Sequence, residues 1–230
     1  MQNISKNRIW TANWFIICCF YSVAYGLMLL NPSVFWDDYA TTGFYANFTS
    51  LLNISTALGT FLNWGVYLNK LLFSFGNSIG VFLARLVTFV AYLLSALLLE
   101  AALRKIKEIK PIERFFIVLF FAILPVNAAR MSLCTMGYAL GYLVFFCGFR
   151  LTAAFCNTGA LLARLGALAL FFISFTTNSL LVFYLVPILY LARVKWEIVK
   201  SRPYTMVLKH ADFLLLPVVF WLIKGNFYTA

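Results

Sequence analysis

Charge is scarce in this chain: Asp, Glu, Lys and Arg make up 11% of its 230 residues, and only seven are acids. Together with 63% hydrophobic residues and a mean hydropathy of +0.91, that scarcity excludes an ordinary soluble domain. The five cysteines, Cys18, Cys19, Cys134, Cys147 and Cys156, never fall at CxxC spacing. They therefore indicate neither a disulfide framework nor a zinc site, and read as packing residues in apolar runs. The lone histidine, His210, lies in a cationic stretch away from the acidic pair discussed below. A Walker-type glycine loop, GxSxG and HExxH are all missing, so soluble nucleotide-sugar chemistry is not expected.

What the chain does contain is a series of long apolar runs separated by cations. The net charge of +11 is distributed between those runs, which makes it a topology signal and not a nucleic-acid footprint. Ile9 to Leu30 is long enough for a first span, and Lys6 and Arg8 before it place the N-terminus in the cytoplasm. This run exceeds the apolar core of a cleavable signal peptide and lacks a small-residue cleavage site, so an uncleaved anchor is expected. Residues 31–77 read as an external loop whose Trp36, Tyr39, Tyr45, Trp64 and Tyr67 sit at headgroup level on short interfacial helices.

Ser78 to Leu103 forms the second span, and the cationic "RKIKEIKPIER" returns the chain to the cytoplasm. Phe115 to Phe149 is too long for one helix and breaks at "PVNAAR", giving spans three and four. A break at "TTNS", residues 176–179, makes a hairpin of spans five and six, the former beginning near Leu161. The hairpin keeps Arg193, Lys195, Lys200, Arg202 and Lys209 cytoplasmic. Asp212 to Ile223 is the seventh span. The expectation is thus an all-α polytopic transmembrane bundle of about seven spans forming one domain over 1–230. A bacterial inner membrane is favoured over the endoplasmic reticulum, where Asn47 and Asn53 would be glycosylation sequons. Gly137 and Gly141 form a GxxxG that suits close internal helix packing.

This topology places Asp37 and Asp38 outside, directly after the first span, together with Lys70, Arg85, Arg130 and Lys224. Ionisable groups at membrane depth usually turn toward a cavity or a partner. Asp37 as the favoured base, with Asp38 beside it positioning the acceptor or pairing with a cation and Arg85 and Arg130 receiving a departing phosphate, suits transfer of a sugar from a polyprenyl-phosphate carrier. That leaving group needs positive charge more than the acid catalyst of glycoside hydrolysis. The plainer reading of Arg85 is a salt bridge to one Asp that fastens the loop to the bundle, and lysines near span ends snorkel to lipid headgroups. Adjacent aspartates could hold Mg²⁺ or Mn²⁺, but two acids supply few ligands and no metal site is expected.

With a cytoplasmic N-terminus, one span, the acidic "WDD" opening a long external loop and seven spans with short external turns, the chain resembles the C-type (GT-C) multi-pass glycosyltransferases. The resemblance implies an all-helical membrane enzyme fed by a lipid-linked sugar donor, with the catalytic acid of the first external loop at Asp37 or Asp38. Members of that family normally continue beyond the seventh span, whereas "GNFYTA" ends this sequence. A fragment, a reduced member or a partner chain completing the site are the three explanations that follow. A transporter or flippase of lipid-linked substrates, or a non-enzymatic subunit of a membrane complex, are the alternatives from other classes; the lack of an internal repeat favours the enzyme over the transporter.

Overall fold

The computed structural model describes residues 2–34, 38, 64–104, 106, 109–124, 132–201 and 203–228. Every regular element among them is helical. α1 (Gln2–Tyr25) continues as a 3₁₀ stretch over Gly26–Leu30. α2 (Trp64–Phe73), α3 (Asn77–Leu103) and α4 (Pro111–Ile123) follow. A 3₁₀ turn at Leu133–Thr135 then leads into α5 (Met136–Thr158) and α6 (Leu161–Ser174). The chain ends in α7 (Asn178–Phe183), α8 (Leu185–Val194), α9 (Trp196–Ser201), α10 (Pro203–Lys209) and α11 (Ala211–Tyr228). Three stretches are long and apolar enough to cross a membrane: Asn13–Leu30, Asn77–Leu103 and Leu133–Thr158. Leu161–Ser174 and Leu180–Val194 are shorter apolar helices.

Described residues gather into two compact units, one up to Leu143 and one from Val144 onward. In the first, three helices run side by side. Tyr21 Oη donates to the carbonyl of Phe89, and Trp14 Nε1 donates to Glu100 Oε2, so α1 and α3 are antiparallel. Tyr25 Oη donates to the carbonyl of Leu124, so the far ends of α1 and α4 meet. The core they share holds Ile17, Tyr21, Tyr25, Ala91, Tyr92, Ala96, Val118 and Ala122. α3 supplies a buried stripe at helical spacing, Val81, Ala84, Arg85, Thr88, Ala91, Tyr92, Ser95, Ala96 and Glu100. Its small residues let neighbours approach closely. Its hydroxyls cost little because Thr88 and Ser95 donate to the carbonyls of Ala84 and Ala91, one turn back.

Helix ends follow local chemistry. α4 starts where Pro111 stands at its first position and the Glu113 carboxylate accepts the amide N–H of Lys110 at 2.9 Å. Gly76, at φ +100° and ψ 155°, makes the turn into α3, a conformation that essentially requires glycine. Gly80 then lies so close to α2 that a Cβ there would stand 2.8 Å from the Phe73 ring and 3.0 Å from its Cα.

The second unit is held by aromatic side chains. Tyr184 packs on Phe171 and Phe175 at ring separations of 4.8 and 5.0 Å, and its hydroxyl donates to the carbonyl of Phe213. Phe220 of α11 packs on Phe172 and Phe175 at 5.5 and 5.6 Å. α11 also exposes Leu214, Leu215, Val218, Val219, Trp221 and Leu222, as a helix bathed in lipid would.

Both sequence-predicted breaks fall where helices end. α4 stops at Ile123 before "PVNAAR", and α6 stops at Ser174 beside "TTNS", where Ser174 and Thr176 hydroxyls donate to the carbonyls of Phe171 and Ile173. Two boundaries differ. α5 runs on past Phe149 to Thr158, because Arg150 is exposed and the helix is ended only by Gly159 at φ +69°. α11 runs past Ile223 to Tyr228, where Lys224 lies over the Trp221 ring at 5.1 Å.

Candidate functional site

Asp38 is completely buried in the first unit. The Ser132 hydroxyl donates to its Oδ1 at 2.5 Å, and the backbone N–H of Cys134 donates to the same oxygen at 3.2 Å. Local structure explains the match. Ser132 precedes the 3₁₀ turn Leu133–Thr135, and its carbonyl accepts from the Thr135 amide and hydroxyl. The first amides of such a helical start lack intrahelical acceptors and carry the positive end of the backbone dipole. A carboxylate placed there satisfies one of them and is fixed in orientation.

Arg85 lies on the buried face of α3, about 12 Å of helix rise beyond Asn77, and is 1% exposed. Its Nη2 donates to the carbonyl of Ser33, in the stretch that follows the first membrane-length helix. Asp38 lies within electrostatic range of this guanidinium. Leu72, Phe73, Val81, Ala84, Leu133 and Met136 form one apolar cluster from the elements that carry these groups. In such surroundings a carboxylate and a guanidinium interact far more strongly than they would in water.

The opposite end of the α3 stripe holds a second charge group. Glu100 is 2% exposed and accepts from Trp14 Nε1 at 2.9 Å and Arg104 Nη2 at 2.6 Å. Arg114 Nε of α4 lies 3.2 Å from its Oε1. Fifteen residues separate Arg85 from Glu100, a rise of roughly 22 Å. The Asp38 site and the Glu100 group therefore occupy opposite ends of the three-helix unit.

Of the residues singled out from sequence, Asp38 and Arg85 come together. Asp37 and Arg130 lie outside the described residues, as do Asn47 and Asn53. Lys70 is exposed in the last turn of α2, and Lys224 belongs to α11 of the other unit. Ser33, Ser132 and Cys134 were not anticipated. Ser132 carries a readable sign, a serine directly before an apolar helical run, but nothing in the pattern couples it to a residue 94 positions earlier.

Chemically, a fixed carboxylate can accept a proton from a hydroxyl, and a buried guanidinium can hold phosphate oxygens in a fork. Among the described residues no three His, Cys, Asp or Glu side chains gather in one place. All five cysteines are described and none forms a disulfide. Comparison with known families, characterised sequences and solved structures returns no match to this chain.

Proposed function

We propose that the chain is a membrane glycosyltransferase of the GT-C type, moving a sugar from a polyprenyl-phosphate carrier to an acceptor hydroxyl on the non-cytoplasmic face. One observation carries the reading: Asp38, a few residues beyond the first membrane-length helix, is buried within electrostatic reach of the buried Arg85. Both stand at the end of the unit remote from Glu100, Arg104 and Arg114. With the N-terminus cytoplasmic and seven passes, that end is the outer one.

In the reaction, Asp38 takes the acceptor hydroxyl proton as the oxygen attacks the anomeric carbon. The bond from that carbon to the carrier phosphate breaks, and the electron pair leaves on the phosphate. Arg85 and Arg130 receive the anion, and Asp37 positions the acceptor or pairs with a cation. A partner chain would complete the acceptor side.

The hydrogen bond from Arg85 to Ser33 favours a second reading, a clamp that fastens the chain after α1 to the bundle in a non-enzymatic subunit. Membranes containing D37N or D38N, at equal protein level and supplied with polyprenyl-phosphate-linked sugars, separate the two. The enzyme reading requires product formation to drop by a factor of about 100 or more when the base is lost. Unchanged product formation in both variants refutes it, and a fall in folded protein without a change in turnover supports the clamp.

A further inference from the structure

The second unit concentrates charge of one sign. From Val144 onward, Arg150, Arg164, Arg193, Lys195, Lys200, Arg202, Lys209 and Lys224 face only two acids, Glu197 and Asp212. Asp212 is committed: Arg164 grips it through Nε at 2.6 Å and Nη2 at 2.7 Å, while the same Nη2 donates to the carbonyl of Lys209 at 2.8 Å. Basic groups then converge on one turn of α5. The Arg164 guanidinium lies 5.5 Å over the Phe155 ring, His210 meets that ring edge-on at 5.9 Å, and Lys195 Nζ donates to the carbonyl of Cys156 at 3.5 Å.

His210 is 4% exposed, and its Nδ1 is buried without a hydrogen-bond partner. A buried polar atom left in that state is costly unless something satisfies it. The groups acting on it come from several sides: Phe155 on α5, Arg164 on α6, Lys195 after α8, Lys209 on α10 and Asp212 on α11. Burial, Arg164, Lys195 and Lys209 hold its proton affinity below the ordinary histidine value, against Asp212.

The surroundings favour an anionic ligand drawn from a membrane surface. Trp196, Tyr204, Val207 and Leu208 are exposed beside the exposed Arg193, Lys200 and Lys209. The apolar stretch Leu180–Val194 delivers the chain to this segment, and α11 leaves it. Aromatic and aliphatic side chains interleaved with cations next to apolar helices have the composition of the headgroup layer.

We propose that Lys195, Lys209 and His210 bind the phosphate of an anionic membrane lipid at the α9–α10 segment, and that His210 takes up a proton from solvent as the lipid binds. The phosphate supplies the negative charge that Asp212, held by Arg164, does not provide, and it gives a protonated Nδ1 an acceptor. Binding therefore tightens as pH falls toward the histidine range. The inference does not depend on the sugar-transfer reading.

The single histidine makes the test selective. Full-length protein without a histidine tag, isotope-labelled at histidine, is titrated by NMR in nanodiscs of phosphatidylcholine, with and without phosphatidylglycerol. The expected result is a rise of about one pH unit in the His210 midpoint when phosphatidylglycerol is present. That rise should be lost in K195Q/K209Q and kept in R193Q/K200Q, which removes the same charge elsewhere in the segment. An unchanged midpoint overturns the proposal. So does a rise that survives K195Q/K209Q, which reports only surface potential, or one reproduced by inorganic phosphate in phosphatidylcholine alone, which shows that the lipid is not required.

Discussion

Replacing Glu100 by Gln tests whether the buried charge group at the end of α3 holds the first unit together. Gln keeps the size and one carbonyl acceptor for Trp14 but removes the charge facing two guanidinium groups. The two pairs are unequal. Arg104 is 31% exposed and one turn away, so its pair is worth at most about 1 kcal/mol. Arg114 is 5% exposed and would lose the buried carboxylate it faces at 3.2 Å, a loss of up to about 3–5 kcal/mol. E100Q should therefore lower the midpoint of SDS-induced unfolding in mixed micelles by the equivalent of roughly 4 kcal/mol. That corresponds to about 10 °C in Tm for a chain of this size. E100L/R114M, which removes the pair instead of breaking it, should recover most of the loss. If E100Q costs less than about 1 kcal/mol, or the double variant is worse than E100Q, the ion pair is not buried as described and the reasoning fails.

Gly80→Ala should destabilise by about 1–3 kcal/mol, because the new Cβ meets the Cα of Phe73 as well as its ring and backbone cannot swing aside; equilibrium unfolding beside Gly137→Ala, where nothing lies within 4 Å, gives the contrast. In neutral detergent, stability should be fullest above about pH 6.5. It should fall as pH drops from there through the lower folded-state midpoint of His210, and H210F should flatten that fall. Under the sugar-transfer proposal, Ser132→Ala should reduce turnover with little change in KM for the acceptor, and Ser132→Thr should restore it, since the hydroxyl donates to Asp38 and would orient it. Equal turnover in S132A and the parent would remove Ser132 from the site.

Much of the architecture was legible because membrane chains punctuate themselves. "PVNAAR" interrupts a run too long for one helix, "TTNS" offers a break in a run that one long tilted helix could also cross, and Pro111 with Glu113 starts α4. Charge misled at Arg150. A cation was read as the end of a span, but an exposed Arg in a continuing helix costs little when its stem lies along the apolar surface and its head reaches outward. Within the site, Asp38 and Arg85 stood out because acids and cations are so few. Ser132 and the Cys134 amide did not, since a serine and a backbone N–H carry no compositional signal and their link to Asp38 crosses more than ninety residues. The Glu100 group combines an i,i+4 pair visible in sequence with Trp14 and Arg114, which only the packing of α1 and α4 against α3 brings in.

The brevity of α4 bears on how a lipid carrier would reach Asp38. Its 13 residues rise about 20 Å, against about 40 Å for the 27 residues of α3 beside it and a hydrocarbon slab of about 30 Å. If α4 lies in the bilayer, a helix of that length is about 10 Å shorter than the slab, and acyl chains alongside it would shorten or splay to match it. Such a dimple would draw the headgroup plane inward on one flank of the unit. A prenyl chain could stay dissolved in the slab while its phosphate sank toward Arg85, so that the membrane's own deformation would lower the work of delivering the donor.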